Sequence, residues 1–173
     1  MQMIGKIIFP MLTLLIVSAI QAIPGQSTFA VYLIDGAPDA RTIARDPGQW
    51  KELPLSSTPV ISDVDILSYD FSKHAMRLRP EAIKRLPRPS VFGIPFVVVV
   101  NGDRIYGGAF YSSFSSVPFA LPVIVVNSPD PDQGVLYIER AYPPSHAVGV
   151  DPRSDERIRN ALSTLKKLSA PNK

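Results

Sequence analysis

Four consecutive valines, Val97 to Val100, run straight into Asn101-Gly102, and no other feature constrains the fold as tightly. β-Branched side chains lose rotamer freedom in a helix and pack well on a pleated sheet. A run this apolar does not suit a strand with a wet face. Asn-Gly most readily takes the positive φ angles of a two-residue hairpin turn. Ile94 to Tyr106 is therefore expected to be a buried strand folding back on a partner, with Arg104 to Tyr111 as the return strand. Gly107-Gly108 inside that return predicts a bulge or a close backbone approach.

The other segments supply partners for this hairpin. Ser27 to Ile34 reads as a first strand, stopped by Asp35-Gly36-Ala37-Pro38. A short helix is expected near Ala40 to Arg45, and Trp50 as a lid on one edge of the core. Ser62 and Asp65 resemble a capping arrangement for one helical turn, after which Ile66 to Asp70 continues as strand. A reversal at Phe71-Ser72-Lys73-His74 leads to Ala75 to Arg79, where Met76 and Leu78 alternate with Arg77 and Arg79. Pro80 opens a helix whose apolar face is Ala82, Ile83 and Leu86. Val123 to Val126 and Val135 to Ala141 are further strands, separated by a turn at 128–134. Either Asp151 or Ser154 can cap a last helix running to about Leu168, with Ile158, Leu162, Leu165 and Leu168 as one stripe. The fold class expected is α+β in a single domain, a mainly antiparallel sheet with helices packed on one face and a short polar C-terminal tail.

Residues 1–22 read as an export signal, with Lys6 in the positive region, Ile7 to Ile20 as the apolar stretch, and Ala19 or Ala22 at the cut. The apolar run is shorter than the ~20 residues of a spanning helix and is interrupted by Pro10, Thr13 and Ser18. The expected location is secreted or periplasmic. A membrane would be met only through this segment, if it is not cleaved. The remaining ~150 residues can bury ~70% of their unfolded surface without help from disulfides. There are no cysteines, which excludes disulfide frameworks, thiol catalysis and thiolate metal sites. A net charge of +3 does not point to nucleic acid.

Three stretches resemble a known family. They are Pro59-Val60-Ile61-Ser62-Asp63-Val64-Asp65-Ile66, then Met76-Arg77-Leu78-Arg79-Pro80-Glu81-Ala82, then Phe96 to Tyr106 with its Asn101-Gly102 turn followed by Arg104 and Ile105. Their order is similar to the periplasmic head subdomain of SecD-type translocon accessory proteins, over about Val31 to Leu168. The resemblance implies a head-like fold outside the cytoplasm. It does not imply translocase activity, because the later membrane-spanning helices of that family have no counterpart in this sequence.

Candidate chemistry is sparse. His74 and His146 fall in expected loops, are read as solvent-exposed, and show no His-x-Glu or His-Glu-x-x-His spacing, so no metal is expected. Asp130-x-Asp132 with Gly134 is a fragment of a calcium loop, but Tyr142 stands where the distal glutamate is required. No cofactor is expected. The stretch from Phe110 to Phe119 interleaves large aromatics with hydroxyls: Phe110, Tyr111, Ser113, Phe114, Ser115 and Phe119 form a candidate binding loop. The competing reading is that two or three of these aromatics close the core beneath it. Arg77, Arg79, Lys84 and Arg85, with Lys73 and Arg88 nearby, form a candidate face for an anionic surface or an envelope protein, against a merely solvated face. The function expected is an exported, non-catalytic binding or interaction domain of the cell envelope or extracellular space. The alternatives are an exported hydrolase assembled from Ser113, Ser115, His146 and Asp151, without a Gly-x-Ser-x-Gly elbow, and an accessory domain docked through the basic face.

Overall fold

The computed structural model describes residues 28–37, 39–46, 48–126 and 134–169. The expected export signal, the turn at 128–133 with Asp130 and Asp132, and the end of the C-terminal tail lie outside them. The chain opens with β1 (Phe29–Leu33), α1 (Arg41–Ala44), β2 (Ile61–Ser62) and β3 (Ile66–Asp70). It continues through β4 (Ala75–Leu78), α2 (Pro80–Arg85), β5 (Ile94–Val100) and β6 (Asp103–Ser112). β7 (Val123–Val126), β8 (Val135–Glu139) and α3 (Glu156–Thr164) complete it.

The β5–β6 hairpin forms as its sequence requires. Asn101 and Gly102 take φ of 52° and 87°, and Val100 pairs with Asp103 across the turn. A register shift between Val98 and Val99 follows, opposite Tyr106 and Arg104. The extra residue, Ile105, then faces the same core as Tyr106. Gly107 and Gly108 are sites of close approach on opposite faces. A Cβ on Gly107 would lie 2.6 Å from the Trp50 ring, and one on Gly108 would lie 2.5 Å from the Phe96 ring. Trp50 thus packs on β6, as a lid does.

The eight strands run β2-β1-β5-β6-β7-β8-β4-β3 across one mixed sheet. Six pairings are antiparallel and β6–β7 is parallel. Parallel neighbours need a crossover. Residues 113–122 supply it by returning over the outer face, where Phe119 and Leu121 pack.

The sheet is nearly a barrel, and the chain explains why. β2 and β3 stand at opposite ends of the order, yet only residues 63–65 separate them. Such a link reaches about 14 Å, whereas the edges of a flat eight-stranded sheet would stand about 34 Å apart. The sheet must curl until its edges approach each other. Its interior holds Phe29, Val31, Ile66, Met76, Phe96, Val98, Phe110, Ile124 and Ile138. α3 adds Ile158, Ala161 and Leu162 to that interior, and α2 adds Ala82.

A second cluster, on the outer face of β5, β6 and β7, joins Val97, Ala109, Tyr111 and Val123 to Ile34, Ile43 and Trp50. Helices therefore cover both faces, because α1 supplies Ile43 to the outer cluster while α2 and α3 serve the inner one. This corrects the expectation of helices on one face. The middle strands are apolar on both sides, so both sides need cover. The cap of α3 is also corrected: Asp155 accepts from the Arg157 N–H, while Asp151 caps the preceding 3₁₀ turn, Pro152–Ser154.

Gly108→Ala should lower stability by about 3 kcal/mol, since the methyl meets the Phe96 ring and the Pro122 carbonyl in a packed core. Gly102→Ala, with nothing within 4 Å, should cost only about 1 kcal/mol for its positive φ. Urea midpoints of the two variants should fall in that order, and equal midpoints would refute the packing argument.

Candidate functional site

A groove of about 250 Å³ opens on the outer face of β3, β4 and β8. Strand register builds it. Ser68 pairs with Arg77 and Asp70 with Ala75, while Ala75 pairs with Tyr137 and Arg77 with Val135. Alternation turns Tyr69, Met76, Leu78 and Ile138 inward, which leaves the paired set outside. Ala75 offers just a methyl between Tyr137 and Asp70, so the surface is hollow there. Lys73 from the β3–β4 turn and Ser169 from the C-terminal segment complete the walls.

Each wall is held by backbone pairing. The Ser169 N–H donates to the Tyr69 carbonyl at 2.9 Å, and the Tyr69 N–H donates to the Lys167 carbonyl at 2.7 Å. The C-terminal segment thereby runs beside β3 and covers part of its edge. Asp70 Oδ1 accepts from the Ser72 hydroxyl at 2.6 Å, the Ser72 N–H at 3.0 Å and the Lys73 N–H at 3.1 Å. The Ser72 hydroxyl is the largest of the influences that hold the Asp70 carboxyl below the usual carboxylate range. Lys73 Nζ lies 3.9 Å from Asp70 Oδ2. Arg77 is exposed and has no ion pair among the described residues. With Lys73 and Arg77 against Asp70, the groove carries one net positive charge.

Directly beneath the turn that carries Lys73 lies a buried polar cluster. His74 is 8% exposed, with φ of 49°, and its ring packs edge-on against Phe71 at 5.6 Å. This corrects the expectation of an exposed loop histidine: the turn is there, but its last side chain folds inward. His74 Nε2 stands 3.9 Å from Asp151 Oδ2. Its Nδ1 is buried without a hydrogen-bond partner among the described residues. Arg153 already claims Asp151 with two bonds, Nε to Oδ1 at 2.9 Å and Nη2 to Oδ2 at 2.6 Å, and its Nη1 donates to the Ile138 carbonyl. Those bonds hold the Asp151 carboxyl below its usual range. Burial, with the nearby Arg153 charge, pushes the His74 pKa below 6.5, and Asp151 and Asp70 oppose this only in part. The imidazole is therefore neutral at pH 7.

The candidate residues read from the sequence separate into different places. Phe110, Tyr111 and Phe119 are core residues, exposed by 3% or less, and burial pushes the Tyr111 phenol up to about 12. Ser115 is buried with its Oγ donating to the Val91 carbonyl at 2.6 Å. Ser113 is partly exposed, and Phe114, at 85%, is the aromatic of this loop that reaches solvent. Among the basic residues, Arg79 donates to the Val64 carbonyl at 2.8 Å and Arg85 pairs with Asp65 at 2.7 Å, so these two converge on the 63–65 link. Lys84 is exposed on α2, and Arg77 stands in the groove with Lys73. Of the residues of the hydrolase alternative, Ser115 bonds to Val91 and Val117 while Asp151 pairs with Arg153 and faces His74.

Ser68, Asp70, Tyr137 and Ser169 were missed. The β3–β4 reversal was readable, and it already implied that Ser68 and Asp70 share a face with Arg77. Tyr137 and Ser169 enter through pairings between segments far apart in sequence, which no local pattern reports. Among the described residues no group of three or more His, Cys, Asp or Glu could hold a metal ion, and no helix is long and apolar enough to cross a membrane. No family model, curated protein or solved structure matches the chain.

The depressed pKa of His74 has a sign that can be tested. The unfolded chain binds this proton more readily, so the stability it confers is present above pH 6.5 and is lost as the pH falls below that value. The carboxylates with lowered pKa lose their contribution further down, as the pH falls below 3.8. The urea midpoint should therefore fall between pH 7.5 and 5. His74→Asn, which tolerates positive φ and does not titrate, should flatten that fall. An unchanged slope in the variant would assign the fall to another group.

Proposed function

We propose that the chain is an exported, non-catalytic binding domain of the cell envelope or extracellular space, and that it receives an anionic group of its partner in the groove on β3, β4 and β8. Arg77 carries the reading. It is an exposed guanidinium with no ion pair among the described residues, beside Lys73, in a concave site. A guanidinium fork offers paired N–H donors to a carboxylate or a phosphate, and such bonds are stronger than neutral ones. Arg79 and Arg85 are bound to the 63–65 link, so they contribute field more than contact.

The aromatic loop supports this reading less well, since three of its four aromatics belong to the core. The likeness to SecD-type head subdomains is compatible with an accessory domain that binds without catalysis, and translocation forms no part of the proposal.

Retention of the full-length protein on envelope material, compared with Arg77→Gln and Phe114→Ala, tests the proposal. Arg77→Gln should reduce retention about tenfold, the worth of one charge-assisted contact of about 1.4 kcal/mol. Retention of the original protein should also fall as salt rises. Phe114→Ala should retain as the original does. Equal retention of Arg77→Gln and the original, with loss in Phe114→Ala, would move the contact to the loop and overturn the proposal.

A further inference from the structure

We propose that the groove is a subsite for an acidic sugar, a pyranose ring bearing one carboxylate. This rests on the reading of the groove as a binding site and names what enters it.

Three observations narrow the ligand. The first is size. At about 250 Å³ the groove falls below the ~300–1,000 Å³ of sites that engulf a drug-sized molecule. It suits one ring, either free or as a unit of a longer chain. The second is charge. Lys73 and Arg77 face a single carboxylate, Asp70, which stays ionised because Ser72 and the Lys73 N–H hold it. One net positive charge matches a monoanion. A phosphate, with nearly two charges at pH 7, would set its excess charge against Asp70.

The third is the character of the walls. Tyr137 is 43% exposed and stands next to Ala75, so a flat aromatic surface lies beside an empty methyl-sized floor. The apolar face of a pyranose fits such a surface. Ser68 and Ser169 can each donate to and accept from sugar hydroxyls, and Asp70 Oδ2 can accept from one more. A simple anion such as acetate would use Arg77 and Lys73 and leave these groups to water. A fatty acyl chain would find walls that are mostly polar.

The probes are glucuronate, glucose, acetate and inorganic phosphate, titrated into the full chain and followed by calorimetry and by amide shifts in β3, β4 and β8. Glucuronate should bind at least tenfold more tightly than glucose, which lacks the carboxylate, and than acetate, which lacks the ring. Arg77→Gln should weaken glucuronate about tenfold. Tyr137→Leu should bring glucuronate down to the level of acetate and leave acetate unchanged. Ala75→Leu should fill the floor and abolish glucuronate binding. Urea midpoints of the Arg77 and Tyr137 variants should match the original, since both side chains point outward.

Phosphate binding more tightly than glucuronate, or acetate matching it, would overturn the sugar assignment while leaving an anion-binding groove intact. Glucuronate binding that survives Arg77→Gln unchanged would place it elsewhere and overturn the inference. Failure of all four probes to shift the groove amides would overturn it as well, whereas the envelope-retention experiment decides the broader reading on its own.

Discussion

Both faces of the β5–β6 hairpin have to be buried, and the rest of the molecule is arranged to do so. Phe96, Val98 and Phe110 point into the curled sheet, while Val97, Ala109 and Tyr111 point away from it. A sheet with one wet face could not accommodate this pair at its centre. The inner side is enclosed by bending the strands around it and inserting α3. The outer side is covered by the segment with Ile43 and Trp50 and by the 113–122 crossover with Phe119. The absence of side chains at Gly107 and Gly108 lets Trp50 and Phe96 approach β6 from opposite sides.

The far end of the same sheet carries the surface proposed to bind. The antiparallel pairing of β8 with β4 sets Tyr137 beside Ala75, and the two contribute to one hollow. The edge strand β3 would otherwise present unpaired backbone groups. The segment around Lys167 and Ser169 lies along it and becomes a wall of the same groove. The turn between β3 and β4 carries Lys73 outward and His74 inward. Groove and buried cluster therefore meet at the 71–74 turn.

Much of this architecture was legible locally. The Asn101-Gly102 turn, the Pro80 helix start and the bounds of β3 and β7 all follow from φ preference and from the local pattern of apolar residues. The side chains of the aromatic loop were harder to place. Phe110 and Tyr111 lie on opposite faces of a strand, yet both are buried, because each face has its own core. Alternation reports which residues share a side, and it does not report that the second side is also covered. His74 was misplaced for a related reason. Its turn is polar and tight, but α3 and the 3₁₀ turn before it close over that end of the barrel.

The chain by itself determined the hairpin, most strand positions and the lack of cysteine chemistry, because turn geometry, β-branching and composition are local properties. Only the tertiary structure decided the parallel β6–β7 pairing, the curl of the sheet, and the meeting of Arg77 with Tyr137 and Ser169. Arg77 stands 60 positions from Tyr137 and 92 from Ser169, and a short 63–65 link with two buried faces to cover is not a property that any one segment carries. The valine strand that constrains the fold is therefore legible from its own residues, and the groove that carries the proposed function is not.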